Sequence, residues 1–238
     1  MSFRNALSVR ALAIAAVASF TSLAAASVTF SGTSGNLAAS ADFDISAGSL
    51  IVRLTNTSSA DVLIPAEILT GVYFDVAGSP LSLTPVSATL FGGSIVHFGS
   101  NGGGNMGGEF AYASSLVGAP GAADYGISSS GLGLFGNPNF NGPNLGGPAG
   151  VDGLQYGITS AGDNVATGNA AVTGGNELIQ NSVEFTLSGL PQGFDLNSIG
   201  NVWFQYGTSL SEPQVSTPAP GALALLGLGG LIVGRRRR

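Results

Sequence analysis

Apolar and polar residues alternate along this chain from Ser27 to about Phe98. Ala41, Phe43 and Ile45 are separated by Asp42 and Asp44. Leu50, Val52 and Leu54 flank Ile51 and Arg53, Val72, Phe74 and Val76 flank Tyr73 and Asp75, and Val86, Ala88 and Leu90 flank Ser87 and Thr89. A period of two puts alternate side chains on opposite faces, so these stretches read as half-buried strands with one polar face. Turn formers separate them: Gly48, the run Asn56-Thr57-Ser58-Ser59, then Gly78-Ser79-Pro80 and Gly92-Gly93. Residues 66–69 read as a helical turn after Pro65. The alternation returns late in the chain, with Val183, Phe185 and Leu187 around Glu184 and Thr186. A Gly189-Leu190-Pro191-Gln192-Gly193 turn follows, then Val202, Phe204 and Tyr206 around Trp203 and Gln205.

The middle, residues 99–175, is dense in Gly, Asn, Ser and Pro. Apolar islands interrupt it at 109–116, 132–135 and 154–158, and it holds Phe110, Tyr112, Phe135, Phe140 and Tyr156. Those aromatics argue for ordered loops and short strands packed onto a sheet rather than for low complexity. Many short strands, frequent glycine turns and no amphipathic helix predict an all-β chain. The expected body is a single antiparallel β-sandwich or jelly-roll-like domain with long Gly/Asn-rich loops. No fixed-period repeat supports a solenoid.

The two ends differ in kind. Arg4 and Arg10 precede an apolar stretch at 11–20, and Ala24-Ala25-Ala26 follows. This order predicts a secretory signal peptide over residues 1–26, helical in its core, with Ala24 and Ala26 as the small residues at the cut before Ser27. The far end reads Thr217-Pro218-Ala219-Pro220-Gly221, an apolar run at 222–233, Gly234, then Arg235, Arg236, Arg237 and Arg238. As a helix, the run from Gly221 to Gly234 rises about 21 Å, short of the roughly 30 Å bilayer core. Snorkelling arginine stems narrow the gap, and the arginine cluster holds the cytoplasmic side as a stop-transfer element. The prolines keep the preceding strip extended and accessible to a protease.

This tail resembles the PEP-CTERM sorting signal that membrane-embedded exosortases recognise. The matching positions are Pro218, Ala219 and Pro220 as the motif, 222–233 as the short transmembrane segment, and the four arginines as the basic end. Ala219 stands where that family has its name-giving glutamate. The body is also similar to exosortase-dependent bacterial surface proteins at 69–76 with 83–90, 126–136, 152–164 and 202–212. The resemblance implies three parts: a signal peptide (1–26), a β-rich extracytoplasmic domain (27–216) and a sorting signal with a short hydrophobic helix (217–238). It implies signal peptidase, the export machinery and an exosortase-type protease as partners, with the membrane met through the tail. The destination it implies is the cell surface, outer membrane or extracellular matrix, reached through the inner membrane. The role is structural or interactive, with extracellular polysaccharide as a candidate partner, and no enzyme activity follows. The alternative is a membrane-anchored carbohydrate- or ligand-binding β-sandwich.

Charge sharpens this reading. The chain has 7 Lys+Arg and 13 Asp+Glu, for a formal −6. All seven cations are arginines, and only Arg53 lies between the two ends. One arginine against 13 acids leaves the body near −12. Such a body does not neutralise phosphates, which excludes nucleic acid as a partner. The absence of cysteine excludes disulfides, thiol catalysis and cysteine-ligated metal.

Few residues offer chemistry. His97 is the lone histidine, too few for the usual zinc sites, and no nucleophile-elbow motif accompanies it. The stretch Gly131-Leu132-Gly133-Leu134-Phe135-Gly136 matches a dinucleotide fingerprint in letters, with Asp152 downstream. Asn137-Pro138-Asn139 follows where a helix is required, so the match reads as coincidence. No catalytic residue and no cofactor are expected. Asp42 and Asp44 share one strand face, and Asp152, Asp163 and Asn164 lie in loops. Their oxygens are of the kind Ca²⁺ takes, without an Asp-x-Asp-x-Asp-Gly loop. A sugar platform would need Trp203, Tyr206 or Tyr156 exposed.

Overall fold

The structure, a computed structural model, describes residues 27–147 and 150–218. The predicted signal helix and C-terminal hydrophobic helix lie outside the described residues. The chain between is a sandwich-like all-β fold of two sheets. The first sheet takes β1 (Val28–Ser34), β2 (Leu37–Ser46), β3 (Ser49–Asn56), β5 (Thr84–Leu90) and β11 (Ser182–Ser188), in the order β1-β2-β3-β11-β5. Every pairing in it is antiparallel.

The second sheet runs β13-β12-β4-β9-β10-β6. It comprises β13 (Gln214–Ser216), β12 (Ile199–Tyr206), β4 (Leu69–Val76), β9 (Gly157–Thr159), β10 (Leu178–Gln180) and β6 (Ile95–His97), with β7 (Ala111–Ser114) and β8 (Tyr125–Ser128) attached through β4. The far side of β4 is shared, since β8 pairs with Gly71 to Phe74 while β9 meets only Leu69. One pair departs from the antiparallel expectation. β9 and β10 run parallel, joined by the long connection over 160–177. A parallel pair needs a crossover of a dozen or more residues, which this Gly-rich stretch supplies without a helix.

The predicted alternation places the core. Phe43, Leu50, Val52, Leu54, Val183, Phe185 and Leu187 point inward from the first sheet, and Leu69, Val72, Phe74, Val202, Phe204 and Tyr206 point inward from the second; all are fully or almost fully buried. The sheets meet at Phe43 and Phe74, whose rings sit edge to face at 5.1 Å. Phe110 and Phe140, from loop segments, close on Phe185 at 4.9 and 5.5 Å. The predicted helical turn after Pro65 is a 3₁₀ turn over Pro65–Glu67.

The outer faces of the two sheets differ. The first sheet exposes a polar row, Thr29–Asp42–Arg53–Glu184–Thr89, in register across all five strands. The second sheet lacks the solvent face that its alternation predicted. Tyr73 and Gln205, expected outward and wet, are fully buried. The stretch around Leu116, Leu132, Leu134 and Phe135 packs over Tyr73. Val62, Leu154 and Val172 pack over Ile68 and Leu178. Free sheet edges invite aggregation, and here the β5 edge is capped by loop backbone. Met106 N–H donates to Ala88 O at 2.8 Å, and Asn141 N–H to Val86 O at 3.1 Å.

Such close backbone approach explains part of the glycine content. A Cβ on Gly108 would lie 2.0 Å from the Pro143 carbonyl oxygen, and one on Gly107 would lie 2.2 Å from that of Asn141. No helix among the described residues is long and apolar enough to cross a membrane.

Two substitutions test this packing in opposite directions. Phe185→Ala removes the ring that Phe110 and Phe140 enclose and should cost about 3–5 kcal/mol. Tyr73→Phe deletes a buried hydroxyl that has no hydrogen-bond partner among the described residues, and should gain about 1 kcal/mol. Chemical denaturation of the two variants beside the parent measures both, with m unchanged.

Candidate functional site

The two ends of the folded body lie at one pole of the sandwich. β2 and β3 turn at Ala47-Gly48, where Ser46 pairs with Ser49. Leu187 pairs with Leu50, so β11 finishes at that pole too. The 77–83 and 189–198 connections adjoin there, with Ala77 N–H donating to Ser198 O at 2.8 Å. β1 starts toward this pole, since Val28 pairs with Phe43 while Ser34 pairs with Leu37 at the other pole. β13 runs toward it as well, from Gln214 opposite Gln205 to Ser216 opposite Trp203. Thr217 N–H then donates to Val202 O at 3.0 Å, and Pro218 is exposed directly afterwards. A Cβ on Gly32 would meet Val215 at 2.8 Å, so β1 and β13 touch where the two sheets close.

Of the predicted sorting and cleavage residues, Ser27 and Pro218 are described, and both are exposed. Ala24, Ala26, Ala219, Pro220, Arg235, Arg236, Arg237 and Arg238 lie outside the described residues.

The candidate chemistry is dispersed. His97 ends β6, and its Nε2 faces Gln180 Oε1 at 3.3 Å. Asp42 accepts a hydrogen bond from the Thr29 hydroxyl at 2.5 Å, and Asp44 from Ile45 N–H at 2.7 Å. Asp163 accepts from Val62 N–H at 2.8 Å, while Asn164 N–H donates to Asp61. Asp42 thus ties β1 to β2, and Asp163 and Asp61 fasten loops. No group of three or more His, Cys, Asp or Glu among the described residues is placed to hold a metal ion. Asp152 is exposed in its loop.

The Gly131–Gly136 letters form a turn closed by Leu134 and Phe135 N–H on Gly131 O. No helix follows, so the fingerprint has no phosphate-binding terminus. Tyr156 and Tyr206 are fully buried, which removes them as a sugar platform. Trp203 is partly buried, and its Nε1 donates to Asn201 Oδ1 at 2.9 Å. Asn201 in turn donates to Asp75 at 2.7 Å and to Gly121 O at 3.0 Å. This indole is a strut that holds the 115–124 loop on the second sheet.

Sequence reasoning missed one charged group. Glu109 is buried among glycines beside the 139–147 loop, and Leu145 N–H donates to its Oε1. Burial pushes its carboxyl above the ordinary value of 4.5, and nearby Glu177 adds to this, while the Leu145 and Gly146 amides oppose it. Tyr156, beside both glutamates, is pushed up to about 12, chiefly by burial. Its hydroxyl donates to Ser100 O at 3.2 Å. A Gly-Gly-Glu string carries no signal for this role, because the loop that Glu109 holds lies more than thirty residues away.

No family model matches the chain, and neither a curated protein nor a solved structure matches it.

Two measurements test these assignments. A Cβ on Gly121 would sit 2.0 Å from Trp203 Nε1, at a φ of +63° that disfavours side chains. Gly121→Ala should therefore shift the emission of this single tryptophan to longer wavelength and lower the melting temperature. Glu109 binds its proton more tightly folded than unfolded. Its contribution is thus fully present below the unfolded pKa and is lost as pH rises through the raised folded value. Glu109→Gln should flatten the fall in melting temperature between pH 4 and neutrality, as read by melts across a pH series.

Proposed function

We propose that this chain is an exported, non-enzymatic surface or extracellular-matrix protein. Its β-sandwich body, jelly-roll-like in its loop-rich layering, is delivered by an exosortase-type pathway. The observation that carries this reading is the hand-over at Thr217 and Pro218. The last ladder residue among those described is Ser216, and the Pro218-Ala219-Pro220 motif begins two residues later. A protease acting on that motif meets it directly beyond the folded edge, with Pro218 already exposed. The nucleophile for the cut belongs to the protease, and this chain supplies a proline-bracketed substrate.

The body's chemistry supports a structural role. His97 pairs with a glutamine rather than with a serine or an aspartate. Asp163 and Asp61 are engaged by backbone amides, Tyr156 and Tyr206 pack inside, and the Trp203 indole is held by Asn201. A strongly acidic body repels anionic surfaces and stays dispersed during export.

The tail is expected to be removed. Intact-mass measurement on protein from cells with the sorting protease should show a C-terminus before Arg235. Cells lacking that protease should retain Arg235 to Arg238. A tetra-arginine end in both would overturn the processing reading.

A further inference from the structure

One long sheet edge has no partner among the described residues. Elsewhere the edges are short or capped. β13 and β6, at the two ends of the second sheet, have three residues each. The β5 edge accepts the Met106 and Asn141 amides. β7 is clamped by the Asn139 side chain, whose Oδ1 accepts from Tyr112 N–H at 2.9 Å and whose Nδ2 donates to Tyr112 O at 2.7 Å. β1 ends the first sheet with seven residues, Val28 to Ser34. It has no charge, no proline and no register shift, so it lacks the devices that blunt an edge.

The register of β1 shows which of its groups are free. Thr57 N–H donates to Ala38 O, so Ala38 turns its backbone toward β3. Thr33, opposite Ala38, therefore turns its own away from β2. An antiparallel ladder alternates, so Thr29, Ser31 and Thr33 all aim N–H and C=O outward. None of these groups is bonded among the described residues, and the three side chains are exposed. β13 meets β1 along the inward Cβ direction of Gly32, on the side of Phe30 rather than of these three residues.

We propose that β1 pairs with β1 of a second copy of this chain, antiparallel about a two-fold axis at Ser31. A two-fold pairing brings the same groups to both sides, and one register uses them all. Ser31 opposite Ser31 sets each Thr29 opposite the second copy's Thr33, so every outward residue exchanges both its bonds. A shift of two residues in either direction carries Thr29 or Thr33 past the end of the facing strand. The charges permit this contact. β1 itself is neutral, and the Asp42 carboxylate on β2 is taken by the Thr29 hydroxyl. From strand spacing and rise, the two Asp42 positions lie about 20 Å apart across the shared ladder, well beyond the roughly 8 Å screening length at physiological salt. The two five-stranded sheets become one, with a continuous polar face. The pairing uses residues of the body alone and stands apart from how the C-terminal segment is processed.

The absence of cysteine makes the test clean. Full chains in mild detergent carry Ser31→Cys, Thr29→Cys or Thr33→Cys and react with dibromobimane, which bridges thiols about one strand spacing apart. Ser31→Cys should give cross-linked dimer in at least about tenfold excess over Thr29→Cys alone, whose two copies stand about 14 Å apart along the ladder. An equimolar mixture of Thr29→Cys and Thr33→Cys should restore the product. Ser31→Pro in both members of that mixture removes an outward N–H and no bond to β2. It should abolish the product while strand content, read by circular dichroism, stays unchanged. Equal yields from Ser31→Cys and Thr29→Cys, as association through the apolar run at 222–233 would give, would overturn the proposal. So would no cross-linked product, a mixture that yields nothing, or product that survives Ser31→Pro.

Discussion

The contact between Phe43 and Phe74 is where the two sheets become one molecule. Phe30 stands edge to face against Phe43 at 5.7 Å, and Tyr125 stacks on Phe74 at 5.4 Å, so four rings run through the sandwich from one sheet to the other. With no disulfide to constrain the unfolded chain, this apolar seam and the sheet ladders carry the stability. The loops depend on the same seam. Phe110 and Phe140 hold the Gly-rich middle in place by inserting into it beside Phe185. A chain with 38 glycines loses much conformational entropy on folding, and buried rings at wide intervals are what offset that loss.

The second sheet shows how the loops return the favour. Its outer face is apolar at Ile68, Tyr73 and Leu178, and loop residues around 62, 116–123, 132–135, 154 and 171–172 cover it. Loop backbone also meets loop backbone beside the β5 edge of the first sheet, where a Cβ at Gly107 or Gly108 would collide with the carbonyls of Asn141 and Pro143. The residues that look like spacers are the ones that let the layers close. At the corner where β10 passes into β11, Asn181 takes a φ of +90°. Its amide donates to Thr159 O, its carbonyl accepts from Asn56, and its side chain donates to Gly92 O. One residue thereby ties both sheets to the 91–94 turn at the pole opposite the termini.

These facts separate what was legible in the sequence from what was not. Period-two strands whose outer face meets solvent were readable: Val183, Phe185 and Leu187 are buried, while Glu184 and Thr186 are not. Tyr73 and Gln205 were misread because their burial comes from loops remote in sequence, and alternation reports only local geometry. The three-residue strands and the parallel β9–β10 pair carry too few residues to show a period. The C-terminal order of prolines, apolar run and arginines is read straight from the letters, since a linear pattern needs no folding to be seen. The meeting of both body ends at one pole follows from strand register, which no local pattern encodes. Glu109 was invisible on the same ground.

Charge completes the picture. Arg53, the single cation of the body, donates to Glu184 at 2.6 Å, sits opposite Asp42 in register, and lies 4.8 Å from the Phe91 ring centre. A partly exposed pair of this kind contributes about 1 kcal/mol, so Arg53 organises the centre of the first sheet's open face more than it stabilises the fold. The remaining acids are spread over loops and edges with no cation to meet them, and their mutual repulsion acts against compaction at every pH where they are ionised. Repulsion distributed over a surface is resisted only by attraction concentrated inside, which leads back to the aromatic seam. It also makes the surfaces unequal. The far pole, with exposed Phe91, Ile95 and Phe98, lies away from the end that holds both termini, while the polar face of the first sheet runs between the two poles.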